Sequence, residues 1–198
     1  MKKHIIIPLL ILGISCSNSN KKNDTKSIKY NVLSSIIDKF GQAQIPPPFP
    51  GENINFTSQQ LDSIRNQKQK IALYPIFIKS NENIDIKYKK DDLFNQLLQN
   101  LKNIEDSLKI EPSKIRTKIQ HDLSILDTIK NKTNKHYISY NYDKLISLSP
   151  IVFNKNYNKA IVLVGVKIGY LNSGSSIVFL EKKNGTWRIV YSKEFEVS

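Results

Sequence analysis

The sequence predicts an α+β fold, N-terminal helices packed on a curved antiparallel sheet that ends in a C-terminal β-meander. Three observations predict it. Apolar runs between Ser149 and Val197 are joined by turn signals, and helix-spaced apolar stripes precede them. A chain of 198 residues with 39% hydrophobic residues is long enough to bury one core.

The chain opens on a basic stretch, Met1-Lys2-Lys3-His4, followed by an apolar run from Ile5 to Leu12 that is too short to span a bilayer. Gly13-Ile14-Ser15-Cys16 and then Ser17 follow, and Cys16 is the sole cysteine. This arrangement resembles bacterial lipoprotein signal peptides, although Gly13 stands where that family usually has Leu. The resemblance implies cleavage after residue 15, acylation of Cys16 and anchoring to a membrane of the bacterial cell envelope. Two or three acyl chains make a stable anchor where one binds only marginally. Ser17 after the cysteine resembles the pattern sorted to the outer membrane, with the leaflet left open. The organisation expected is therefore a signal peptide over 1–15, a lipidated cysteine and flexible tether over 16–27, and one globular domain over 28–198.

Val32, Leu33, Ile36, Ile37 and Phe40 recur at helical spacing, and Gly41 supplies a stop. Ile45-Pro46-Pro47-Pro48-Phe49-Pro50-Gly51 is extended, since consecutive prolines favour polyproline II. It reads as a stiff surface crossing with Phe49 as its peg. Pro-rich segments also dock in aromatic grooves, which makes Phe49 a candidate partner contact. Thr57 or Ser58 caps a short helix through Leu61 and Ile64. The run Ile71 to Ile78 predicts a strand, and Pro75 places it at an edge or a bulge.

Asp91 and Asp92 open the strongest helix, with Leu93, Leu97, Leu101 and Ile104 on one stripe and Phe94 and Leu98 beside it. Between Glu111 and Lys135 the pattern weakens. Pro112 breaks the helix, and Leu123 to Ile129 fits helix or strand. Tyr137 to Tyr142 predicts the start of another strand before Leu145.

In the meander, Ala160, Val162, Val164, Val166, Ile168 and Tyr170 share one face, while Ile161 and Leu163 give way to Gly165, Lys167 and Gly169 on the other. Glycine inside a strand marks a bend or a close approach, which makes Gly165 and Gly169 candidate contacts for a ligand. Ser173 to Ser176 reads as a turn. Asn184-Gly185 predicts a two-residue hairpin in which Leu180 faces Ile189 and Val178 faces Tyr191. That register puts Trp187, Ile189, Tyr191, Phe195 and Val197 on one face. The closing pattern, Glu-Lys-Lys-Asn-Gly and then Trp-Arg-Ile-Val, is similar to the last hairpin of NTF2-like α+β domains. That likeness implies a fold and no site residues; a small-ligand-binding alternative expects a cavity between the sheet and the Asp91 helix, lined by Tyr170, Trp187 or Tyr191.

The formal charge is +13, yet arginine occurs only at Arg65, Arg116 and Arg188. Nucleic-acid recognition favours the forked guanidinium, so the lysines read as solvated faces and nucleic acid is not an expected partner. No metal or cofactor is expected either, because ligands for zinc are sparse once Cys16 is acylated. His121-Asp122-Leu123-Ser124 holds the residue types of a hydrolase triad within four positions, and general acid-base work by His121 with Asp127 is a separate alternative. Real triads meet in space rather than in sequence, so this adjacency carries little weight. Asp62-Ser63-Ile64, Asp106-Ser107-Leu108 and Asp127-Thr128-Ile129 resemble a short O-glycosylation acceptor pattern of envelope proteins. The function expected is binding or structural interaction at the envelope without catalysis, with Phe49, Gly165, Lys167, Gly169, Tyr170, Trp187 and Tyr191 as contacts for a ligand or an envelope protein partner.

Overall fold

The computed structural model describes residues 18–45, 51, 55–79, 91–101, 103–106, 108–169 and 172–197. Cys16 and all that precedes it, Phe49 and the prolines around it, residues 80–90 and Tyr170 lie outside these.

Helix α1 (Asn18–Phe40) buries Val32, Leu33, Ile36 and Ile37 completely, as their spacing predicts, and ends where the Gly41 amide donates to the Ile37 carbonyl at 2.8 Å. It begins well before the stripe, so the expected tether is helical from Asn18 onward. Tertiary contacts account for part of that extension. Lys26 pairs with Glu111 at 2.8 Å, and Lys29 pairs with Asp106. Glu111 also meets Lys114, and these lysines hold its carboxyl down at about 2.

Helix α2 (Ser58–Arg65) starts at Thr57, whose hydroxyl accepts from the Gln60 amide while the Gln60 side chain returns to the Thr57 amide. Seven strands among the described residues follow, β1 (Lys70–Leu73), β2 (Asp122–Ile125), β3 (Lys144–Leu148), β4 (Val152–Phe153), β5 (Lys159–Ile168), β6 (Asn172–Lys183) and β7 (Thr186–Val197). They form one sheet in the order β2-β1-β3-β5-β6-β7, with β4 paired to the start of β5. The class is α+β as predicted, but the sheet is mixed. β1 lies between β2 and β3 and runs parallel to both. Pro75 therefore does not sit in an edge strand. The strand ends at Leu73, and the Pro75 carbonyl accepts from the Ile110 amide at 3.0 Å.

The sheet buries its two faces differently. Helix α1 covers one, where Val32, Leu33, Ile36 and Ile37 meet Ile71, Leu73, Ile146, Leu148, Val162, Val164 and Val178. On the other, helix α3 (Asp92–Leu101) lays Phe94, Leu97, Leu98 and Leu101 over Ile161, Leu163, Ile177 and Phe179. Ala72, Leu126 and Ile138 form a smaller cluster near β1. Strand β5 lies between the two helices, and its first half is covered on both faces. Ala160, Ile161, Val162, Leu163 and Val164 are all buried, and from Gly165 onward the strand is half-buried.

The middle of the chain consists of short pieces, a 3₁₀ turn (Pro112–Lys114), β2, helix α4 (Thr128–Thr133) and helix α5 (Tyr137–Asn141). Leu123 to Ile129 is thus strand first and helix afterwards. Tyr137 to Asn141 is helical, not strand, because a helical turn points Ile138 into the core while Tyr140 stays exposed. Ser173 to Ser176 belongs to β6 rather than to a turn, with Gly174 facing Val166 and Ser175 facing Gly165.

The hairpin turn is as predicted, with Asn184 at φ 51° and Gly185 at φ 79°. Leu180 faces Ile189, but the register then shifts, so that Phe179 faces Tyr191 and Val178 faces Ser192. Val190 is the extra residue. A second shift leaves Phe195 extra between Glu194 and Glu196. Each extra residue reverses the alternation beyond it, and so Tyr191 packs on the α3 side while Trp187 stays with α1.

Lys159 ties α3 to the sheet. Its ammonium pairs with Asp91, which also caps α3 by accepting from the Leu93 amide at 2.9 Å, and with Glu181 at 3.1 Å. It stands 4.7 Å from the Phe94 ring centroid. Replacing it by methionine keeps the stem and leaves two carboxylates facing each other. Lys159→Met is expected to lower stability by about 1 kcal/mol, with Asp91→Asn recovering part of the loss in a double-mutant cycle of urea midpoints. Additive effects of the two substitutions would contradict the coupling.

Candidate functional site

The residues that the sequence singles out do not meet at one place: Gly165 and Lys167 line an open cleft of about 250 Å³, while His121, Asp122 and Ser124 line a separate one of about 830 Å³. Gly165 faces Ser147 and Ser175, on the same side of β5 as Ile161 and Leu163, which pack against α3. A Cβ at Gly165 would stand 2.5 Å from the Ser147 hydroxyl, so the close approach there is to a neighbouring strand. Lys167 lies two residues further along the same face, opposite Leu145 and Ser173. Gly169 takes φ 62° in the turn after β5, a conformation glycine adopts without strain. Trp187 and Tyr191 lie on opposite faces. Trp187 is 3% exposed against α1, and its indole N–H has no acceptor among the described residues. Between α3 and the sheet, where the ligand-binding alternative expects a cavity, the Phe94 and Phe179 rings meet edge to face at 5.1 Å.

His121 and Asp127 are held apart. His121 precedes β2 and Asp127 follows it, on the order of 20 Å along an extended chain. Asp127 is the N-cap of α4, accepting from the amides of Ile129 and Lys130, and those bonds hold its carboxyl below the usual range. His121 is buried, with Nδ1 accepting from the Gln69 amide at 3.2 Å. In the neutral ring the proton then sits on Nε2, which is buried without a partner among the described residues. Burial pushes its pKa down, the nearby Lys144 ammonium adds to the effect, and Asp38 opposes it.

Lys144 is the second buried base. At 3% exposure it donates from Nζ to the Phe40 carbonyl at 3.1 Å and to the Gln42 carbonyl, closing the C-terminus of α1. Burial pushes it down to about 8. Gly41 packs between these groups. A Cβ there would lie 2.5 Å from the Ile37 carbonyl, 2.9 Å from Ile71 Cδ1 and 3.2 Å from His121 Nε2. The knot is structural, since it fastens the end of α1 to the starts of β2 and β3.

A further open arrangement lies away from these residues, and Trp187 reaches it only through Phe153. An open cleft of about 700 Å³ lies between the N-terminal half of α1, the 104–106 loop and the loop joining β4 to β5. In that loop the Tyr157 amide donates to the Asn154 carbonyl at 3.0 Å, while Asn154 Oδ1 accepts from the amides of Asn158 and Lys159. The turn leaves Tyr157 at φ 51°. Outside glycine, only Tyr157 and Asn184 take positive φ among the described residues, and asparagine tolerates that conformation far better than an aromatic residue does. The Tyr157 ring stands 5.5 Å from that of Phe153, which in turn meets Trp187 at 5.7 Å. Across the cleft are Lys29, Asp106, Glu105 and Ile104.

Fold and cleft define an α+β protein with an open, mixed-polarity cavity beside its first helix. No protein-family model, no curated protein and no solved structure matches the chain. Among the described residues no group of three or more His, Cys, Asp or Glu side chains is placed to hold a metal ion, and no helix is long and apolar enough to cross a membrane.

Proposed function

We propose that the chain is a lipid-anchored protein of the bacterial cell envelope, held to the outer membrane through Cys16, that works by binding or structural interaction without catalysis. The observation that carries this reading is the order of a basic start, a short apolar run and a sole cysteine followed by polar residues. The course of α1 agrees with it. Among the described residues α1 is helical from Asn18, and it enters the core at Tyr30, a short stretch of sequence after Cys16. A lone thiol outside the reducing cytoplasm would also lack a disulfide partner, which acylation resolves.

Cys16→Ala is expected to release the protein from the membrane fraction and to abolish labelling by a radioactive fatty acid. Unchanged fractionation and labelling would overturn the anchor. Cross-linking in the native envelope, followed by mass spectrometry against the same variant, tests the interaction half. A protein partner enriched only with the anchored form supports it.

A second reading, small-ligand binding, is favoured by the cleft at Tyr157. The cavity lies within the usual size range of small-molecule sites, and it combines aromatic walls with a few polar groups.

A further inference from the structure

We propose that the cleft between α1 and the β4–β5 loop is a binding site for a neutral saccharide, with the Tyr157 ring as its stacking surface. The proposal rests on the binding reading above and names its ligand class.

The backbone gives the first reason. The loop closing β4 onto β5 contains a position that demands left-handed φ, where glycine or asparagine is at home. An ordinary side chain there is held in a strained backbone conformation. Asparagine stands at 154, 156 and 158, yet tyrosine occupies 157. The strained residue is the one whose ring lines the cleft, backed by Phe153 and behind it Trp187.

The lining gives the ligand class. Lys29 and Lys155 are balanced by Glu105 and Asp106, so the cleft carries no net formal charge. An anionic ligand meets the Asp106 and Glu105 carboxylates, and the cations near them are already engaged, Lys29 with Asp106 and Lys79 with Glu105. A purely aliphatic ligand strips water from that pair and returns no hydrogen bond. A neutral sugar ring satisfies both halves of the surface. Its C–H face lies on an aromatic ring, and its hydroxyls both donate to carboxylates and accept from ammonium groups.

Trp187 is the only tryptophan and touches the aromatic wall, so its fluorescence reports on the cleft. The test titrates the full-length protein, in a detergent without a sugar headgroup, with chitotriose, maltotriose and mannotriose. Fluorescence and calorimetry are read together. At least one trisaccharide is expected to bind saturably at millimolar concentration or below. Tyr157→Gly should weaken that binding at least tenfold while the unfolding midpoint stays close to wild type, because relief of the left-handed strain offsets the lost contact with Phe153. Tyr157→Asn, which also tolerates positive φ, should behave in the same way. The proposal is overturned if no trisaccharide binds by either method, or if binding survives Tyr157→Gly unchanged. A protein partner cross-linked at the envelope in those circumstances would leave the anchored, interacting role standing without the sugar.

Discussion

Gly41→Ala is expected to lower the stability of the fold by about 2 to 3 kcal/mol, the scale of overpacking at a site whose neighbours cannot yield. The added methyl meets the Ile37 carbonyl at 2.5 Å and Ile71 Cδ1 at 2.9 Å. One is helix backbone and the other a fully buried strand residue. Relief requires α1 to lift from the sheet, which disturbs the bonds from Lys144 to Phe40 and Gln42. Gly165→Ala is the matching control. Its methyl meets only the Ser147 side chain, whose hydroxyl can rotate away, so the change stays below about 1 kcal/mol. Urea denaturation of the three proteins checks this through midpoints at constant slope. Equal midpoints for Gly41→Ala and Gly165→Ala would show that the end of α1 is free to move.

The wild-type protein is expected to lose stability as pH falls below about 6.5, the ordinary value for histidine, and His121→Asn to remove part of that loss. The folded state holds His121 below its ordinary value, chiefly through burial and then through Lys144. The unfolded chain takes up the proton first, so the stabilising contribution is complete above the unfolded value and disappears as pH falls toward the folded one. One such group changes stability by at most about 1.4 kcal/mol per pH unit. Asparagine is the suitable replacement because its side-chain oxygen can accept from the Gln69 amide as Nδ1 does. Denaturation midpoints between about pH 5 and 8, the range in which histidine titrates, should give a flatter curve for the variant. Parallel curves would place the acid sensitivity elsewhere.

What is legible in the sequence follows from how locally each feature is determined. The alternation in β5, the Asn184-Gly185 turn, the Thr57 cap and the α3 stripe through Leu97 and Leu101 each depend on a few neighbouring residues, and all are present, whereas Ile104, expected on that stripe, lies beyond the end of α3. The parallel placement of β1 between β2 and β3 depends on pairing across long intervals of chain, for which no local pattern speaks. Val190 alternates as any strand residue does, and nothing in its type marks it as the extra one. Tyr137 to Asn141 has the composition of a strand, but burial of Ile138 within a single turn overrides that preference. Asp127 invites a chemical reading, although Asp-Thr-Ile before a lysine-rich segment equally announces a helix start. For the cleft, the only signal is the turn-prone run Asn154 to Asn158. Asparagines at three of its five positions hide the fact that the tyrosine takes the left-handed conformation.

The two extra residues of β7 bear on how the sheet edge meets other molecules. β7 is a twelve-residue strand at the open side of the sheet, long enough to template the addition of a strand from another molecule. Val190 and Phe195 interrupt its outward row of amides and carbonyls at two points, so an incoming chain finds no long uninterrupted ladder. Ser35 further occupies the Trp187 carbonyl, donating its hydroxyl to it at 3.0 Å. An interrupted margin of this kind disfavours the joining of two copies of the chain edge to edge.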